Sequence, residues 1–293
     1  MRRRDFVLAG LATIGSGAFA SVGERFSNGL LWRVEKAGVA PSHVYGTIHV
    51  ADPRVAELPA AVRQRFDAAK SLMLEFVPDA YSRERFLEAA MFLDRQTLED
   101  KIGAQDFERA VEHLGPIGLP REVVNKLKPW GVLLNLRNPK RPDQGAPLDT
   151  QLLELARARR LPLHQIEGVE EQIFTFDEFP MESQVALLKH SLAHRDELVE
   201  LAERTLEAYL ARDLAAIWRL REQFVARHPQ IAAHQAVMTK RVVHDRSVVM
   251  AFRMQRQLRR GDAFVALGAL HLYGEKGVLA LLETDGYRAD RVF

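Results

Sequence analysis

Leu72-Met73-Leu74-Glu75-Phe76-Val77 is apolar at every position except Glu75. A run that is apolar on both faces is the pattern of a strand in the middle of a sheet covered on both sides. Covering both faces takes helices, so this stretch points to an α/β fold. The flanking segments agree. Just upstream, Leu58, Val62 and Phe66 recur at four-residue spacing around Pro59, which predicts an amphipathic helix over 58–69 with the proline at its first helical position. Before that, 30–34 and 43–49 are rich in β-branched and aromatic residues and flank a turn segment holding Gly38 and Pro41, predicting an opening hairpin.

Downstream, helical periodicity dominates from 82 to 160, with Gly and Pro clusters at 115–120 and 138–147 marking loops, and 161–166 reads as a short strand. Within 181–226, Leu206, Leu210, Leu214, Ile217, Leu220 and Phe224 make one apolar stripe beside a charged face, the signature of core packing. A helix over 237–259, a buried strand over 263–267, a helix over 276–284 and a closing strand over 287–293 complete the pattern. The expected architecture is a central mixed β-sheet built from both chain ends. A large helical segment, about 82–235, is inserted between them, and 21–293 forms one domain.

Composition narrows the function. Lys and Arg number 41 against 39 Asp and Glu, and the two signs are interleaved, so no surface is expected to wrap a phosphate backbone and nucleic acid is not an expected partner. The absence of cysteine removes disulfides, thiolate chemistry and cysteine-ligated metal centres, leaving His, Asp and Glu as metal ligands. Residues 1–20 read as an export signal. Arg2, Arg3 and Arg4 precede an apolar stretch ending in Ala18-Phe19-Ala20, and Arg3-Arg4-Asp5-Phe6-Val7-Leu8 resembles the twin-arginine motif of proteins exported already folded. The stretch is shorter than the ~20 apolar residues of a membrane span, so cleavage and a periplasmic protein with no remaining span are expected rather than an anchor.

Two segments share a form, Val44-Tyr45-Gly46-Thr47-Ile48-His49 and Ala266-Leu267-Gly268-Ala269-Leu270-His271, each a strand running into Gly-x-x-His. Ligands on α/β sheets gather where strands end, and a glycine there lets the backbone bend or approach closely. His49 and His271 are therefore candidate ligands for a divalent ion such as Zn, Co or Mn. Glu75 is the third candidate, because a carboxylate in an apolar strand needs a cation, a metal or good donors. Arg246, between Val242 and Val249 on the expected inward helix face, would either hold Glu75 in a structural ion pair or bind an oxyanion.

These elements, with Leu31-Trp32-Arg33-Val34, Lys128-Pro129-Trp130, Asp149 before Gln151-Leu152, and His271-Leu272-x-Gly274-x-x-Gly277-Val278 before Gly286-Tyr287, resemble the TraB/GumN family, which includes the Tiki proteases and is related to ChaN-like and erythromycin-esterase-like proteins. The resemblance implies a divalent-metal-dependent hydrolase acting on a peptide or small-molecule substrate. It places His49, Glu75, His271 and Arg246 in the active site; the two histidines are expected to bind the metal, with Glu75 either completing the coordination or accepting a proton from the metal-bound water. The family commonly has asparagine after that arginine; Ser247 stands here, which is expected to alter a helix-face hydrogen bond. The rival reading is a non-catalytic protein that holds a metal, haem or peptide in the same cleft. A third is a helical interaction protein whose histidines are structural. Asp149 and Glu167 are second-tier candidates, expected as an N-cap and a surface salt bridge. His190, His194, His228, His234 and His244 lie in charged helical stretches and are expected to be solvated.

Overall fold

The computed structural model describes residues 25–293 apart from Ala56 and 138–145. The expected export signal and most of the expected loop at 138–147 lie outside the described residues. The opening hairpin forms as the sequence predicts: β1 (Leu31–Glu35) pairs antiparallel with β2 (Ser42–Thr47), Leu31 opposite Tyr45. Helix α1 (Ala60–Ala68) lies within the expected 58–69 and begins after Pro59, which stays extended as its N-cap instead of taking the first helical position. It delivers the chain to β3 (Ser71–Leu74), buried along its whole length. This strand is shorter than the apolar run that announces it. The chain leaves the ladder at Glu75, ahead of Pro78, so the expected strand carboxylate stands one residue past the strand.

A series of helices follows: α2 (Ala80–Ala89), α3 (Leu98–Ile102), α4 (Ala104–Leu114), α5 (Arg121–Lys126), α6 (Pro129–Arg137) and α7 (Leu148–Ala158). The short strand β4 (Leu163–Gln165) interrupts this helical segment. Then come α8 (Val169–Asp177), α9 (Met181–Ala193), α10 (Arg195–Leu210) and α11 (Leu214–Arg227). The expected single stripe over 206–224 is split between α10 and α11, since Arg212 adopts φ 62° and Asp213 caps α11 by accepting from the Ala216 N–H. Leu210 is consequently exposed, while Leu206, Leu214 and Ile217 join the core around the sheet.

The helix expected at 237–259 begins earlier, as α12 (Ala232–Thr239), and passes through a π-helical turn, Lys240–Asp245, into α13 (Arg246–Leu258). A π turn shifts the faces of the helix that follows. Val248 and Val249 therefore face solvent, and Ser247, Met250, Ala251 and Met254 face the core. The chain closes with β5 (Ala263–Gly268), fully buried, α14 (Val278–Thr284) and β6 (Arg288–Arg291).

Among the described residues the sheet has six strands in the order β4-β3-β5-β2-β1-β6. β4, β3, β5 and β2 run parallel, β1 is antiparallel to them, and β6 at the edge beyond it is antiparallel to β1 and so runs in the direction of the other four. The architecture is thus α/β with a mixed sheet drawn from both chain ends, and β4 is the one strand supplied from within the helical segment. Parallel strands need crossovers and covered faces, which explains why β3 and β5 read as continuous apolar runs. One hydrophobic cluster surrounds the sheet, with Phe264, Val265, Leu72 and Val44 at its centre. A second lies among the helices, with Phe107, Trp130, Leu188 and Phe224. Among the described residues, no helix is long and apolar enough to cross a membrane.

Candidate metal centre

Four adjacent parallel strands end on the same edge, and each delivers a polar residue there: Glu167 after β4, Glu75 after β3, His271 after β5 and His49 after β2. The two glycines of the repeated motif do different work. A Cβ on Gly46 would lie 2.8 Å from Leu272 Cδ1 and 3.2 Å from the Ala269 backbone, so this glycine lets the turn after β5 pack against β2. A Cβ on Gly268 would lie 3.2 Å from Glu75 Oε1, 3.4 Å from His49 Nε2 and 3.6 Å from His271 Cδ2. That second glycine holds open a small space that the three candidate ligands surround.

Each of the three has its own orienting partner. His271 lies on a short 3-10 turn, Ala269–His271, and is 5% exposed. Ser247 Oγ donates to the Val243 carbonyl at 2.8 Å and therefore accepts from His271 Nδ1–H at 2.9 Å. The Nε2 lone pair is left facing Glu75 Oε1 at 3.9 Å. Serine at the position where the resembling family commonly carries asparagine thus sets the tautomer of His271. Burial holds this imidazole down to about 4, so it is neutral at neutral pH and available as a ligand.

His49 is half-exposed, and its Nδ1 donates to Asp149 Oδ2 at 2.8 Å while Thr47 Oγ1 donates to Asp149 Oδ1 at 2.9 Å. The adjacent Asp149 carboxylate raises His49 to about 9, so a metal ion there would displace a proton from it. Asp149 is not the N-cap that its position suggests: Pro147 occupies that place, and Asp149 sits in the first turn of α7 aimed at the strand end. Tyr209 Oη donates to the Gly46 carbonyl at 2.9 Å and fixes the end of β2 from α10.

Glu75 is buried, and its two oxygens are held separately: Oε1 accepts from the Gly268 N–H at 2.5 Å and Oε2 from Arg246 Nη2 at 2.7 Å. Burial alone would raise this carboxyl, but nearby positive charge holds it well below the usual carboxylate range. With His271 neutral at pH 7, Arg246 is the principal source of that charge. The same guanidinium donates from Nε to both oxygens of Glu167, each at 3.0 Å, and from Nη1 to the Val242 carbonyl at 3.2 Å. Glu167, expected as a surface salt bridge, is only 4% exposed. Of the two roles open to Arg246 from sequence, the geometry gives it the holding of Glu75.

The centre opens into a cavity of about 330 Å³. Leu74, Phe76 and Phe176 supply apolar wall, Gln172 and Thr175 supply polar wall, and His49, Glu75, Asp149 and Arg246 stand at its base. A family description, TraB/PrgY/gumN, matches residues 30–291. The chain belongs to the TraB/PrgY/gumN family. Among its relatives are the uncharacterized protein YbaP of Shigella flexneri, 24% identical over 246 residues that cover 82% of this chain and 87% of YbaP, and YbaP of Escherichia coli (strain K12), 24% identical over 245 residues with the same coverage. No solved structure matches. The TraB/PrgY/gumN match spans both Gly-x-x-His segments, Glu75 and Arg246.

Asp149 and Glu167, second-tier candidates expected as an N-cap and a surface salt bridge, both stand at this site: Glu167 just past β4 and Asp149 in the first turn of α7. Sequence reasoning misplaced a group of histidines. His190 and His228, expected to be solvated, are 8% and 7% exposed, and His234 bonds Ser183 at 2.8 Å.

Proposed function

We infer that this TraB/PrgY/gumN protein is a metal-dependent hydrolase whose ion is held by His49, Glu75 and His271. The observation that carries the reading is the space beside Gly268, ringed by two imidazoles and a carboxylate that separate elements orient. Two imidazole nitrogens and one ionised carboxylate suit Zn, Co or Mn. A bound divalent ion would supply Lewis acidity toward a carbonyl and toward water.

The residues divide the remaining work. Arg246 and the Gly268 N–H keep Glu75 ionised, which makes it a strong anionic ligand and a weak proton acceptor at neutral pH. Ser247 keeps the His271 Nε2 lone pair turned inward, and Asp149 anchors the exposed imidazole of His49, in the manner of outer-shell partners of metal-bound histidines. The mixed cavity wall fits an extended, amide-containing substrate with apolar side chains. The resemblance to the Tiki proteases points to peptide bonds. The pattern at residues 1–20 favours action outside the cytoplasm.

The test is calorimetric titration of the chelator-treated chain with Mn²⁺, Co²⁺ and Zn²⁺, followed by hydrolysis assays on a mixed peptide library. His49→Ala and His271→Ala should each abolish binding at this centre together with hydrolysis. Unchanged metal binding in both variants overturns the metal assignment; metal binding without cleavage of any peptide turns the reading to a binding protein.

A further inference from the structure

His190, His194 and His228 come together among the helices, and each offers a nitrogen within 4.8 Å of the others. Their ring centroids are 4.4 Å apart for His190 and His194, 4.6 Å for His190 and His228, and 4.6 Å for His194 and His228. None of them lines the cavity at the strand ends. His190 and His194 are one turn apart, in the last turn of α9 and at its C-cap, and His228 is the C-cap of α11. Two helix C-termini, carrying partial negative charge, and the N-terminus of α10, of opposite sign, therefore meet at the cluster.

A carboxylate completes the set. Glu197, in the first turn of α10, contacts His194 Nδ1 through Oε1 at 2.9 Å and His228 Nε2 through Oε2 at 3.0 Å. His190 is the decisive member. Its Nε2 is buried and has no hydrogen-bond partner, a cost that core packing alone does not repay. Phe224 packs on the rings of His190 and His228, so the cluster has an apolar floor on one side.

We propose that His190, His194 and His228, with Glu197 as fourth ligand or orienting carboxylate, form a second metal site for a divalent transition ion of the zinc class, which staples the junction of α9, α10 and α11. Three imidazoles and a carboxylate are the donor set that Zn²⁺, Co²⁺, Ni²⁺ and Cu²⁺ favour, and a set without Cys needs no reducing compartment. The role is structural: the ion ties two helix C-termini, whose last backbone carbonyls lack intrahelical partners, to the N-terminus of a third.

The site is tested on the full chain after chelator treatment, by Co²⁺ absorption and Zn²⁺ calorimetry, in parallel on wild type, on His190→Phe, on His228→Gln and on the double variant His49→Ala/His271→Ala. The double variant is expected to bind one equivalent with a Co²⁺ spectrum of nitrogen ligation, and its Tm should rise by roughly 3–6 °C with saturating Zn²⁺. His190→Phe and His228→Gln should each lose one equivalent relative to wild type, and their Tm rise should be smaller than that of wild type by the part the double variant shows. If the strand-end centre binds no metal, wild type still takes up one equivalent and His190→Phe none, so the failures of the two readings are distinct. An equal stoichiometry in wild type and His190→Phe overturns the proposal. Should His190→Phe fail to fold, absence of any bound ion in the double variant overturns it equally.

Discussion

The strand-end centre and the helical histidine cluster are both made of imidazoles and carboxylates, yet they are built on opposite plans. At the strand ends each candidate ligand comes from a different strand and has a separate partner: Asp149 for His49, Ser247 for His271, Arg246 for Glu75. The helical cluster draws two of its histidines from one helix end and shares a single, partly exposed carboxylate, Glu197. The first plan fixes direction at the cost of burying charge, which suits a centre that must face a cavity. The second places donors cheaply where helices end, which suits a staple.

The largest test of that contrast is in stability. Arg246→Met would strand the buried carboxylates of Glu75 and Glu167, whose side chains are 9% and 4% exposed. Breaking a buried pair from one side costs about 3–5 kcal/mol. Glu197→Gln, at a side chain 41% exposed, should cost under ~1 kcal/mol in the metal-free protein. Denaturant unfolding of both variants measures the difference; comparable losses would mean that the strand-end network is not the buried, charge-holding assembly described above.

Next in size is a change that targets space alone. Gly268→Ala places a methyl 3.2 Å from Glu75 Oε1 and 3.4 Å from His49 Nε2, where backbone-held groups have little room to yield. The fold should survive, since Gly268 has φ −55°, accessible to any residue. Metal affinity at the strand ends should fall by roughly 100-fold, as for loss of an outer-shell partner or more, while uptake by the helical cluster is unchanged. Retained affinity in the variant would show that the ion, if bound, sits elsewhere.

How much of this was legible follows from where the physical signals are local. β3 and β5 announce themselves because burial on both faces leaves an uninterrupted apolar run, and the two Gly-x-x-His segments stand out because a strand and a turn glycine frame each histidine. Half-buried β4, three residues long, offers much less. The π turn ahead of Arg246 leaves no mark in side-chain periodicity, so Val249 looked inward and is exposed. Asp149 meets His49 across 100 residues, and Glu167 meets Arg246 across 79. A carboxylate in a first helical turn or just past a strand reads as a cap or a surface ion until the topology supplies its partner. The same holds for His190 and His194, whose helical spacing is visible but whose third member comes from the end of another helix.

Ser247 offers a finer probe of how much an orienting partner contributes. Ser247→Ala removes the acceptor for His271 Nδ1–H and with it the preference for one tautomer. The expected loss is roughly 10-fold in metal affinity at the strand ends, the lower end of the range for outer-shell changes. Titration calorimetry reads it directly, and Ser247→Asn, the residue common in the resembling family, should restore part of the affinity. A Ser247→Ala variant that binds as wild type would reduce this contact to helix packing.

The last test concerns pH, and it sets the background against which acid release of metal from either place has to be read. His43, at the far end of β2 from Thr47, belongs to neither cluster. Its Nε2 is buried without a partner, and burial, reinforced by Arg65 and Arg33, lowers it from 6.5 to about 4. The unfolded chain therefore binds the extra proton first as pH falls. This group's contribution to stability is fully present above pH 6.5, declines between 6.5 and about 4, and is constant below that. His43→Leu should flatten that part of the stability profile of the chelated protein, measured by denaturant midpoints from pH 7 to 4. If the slope is unchanged in the variant, acid sensitivity in this window originates in other groups, and the two histidine clusters become the first to examine.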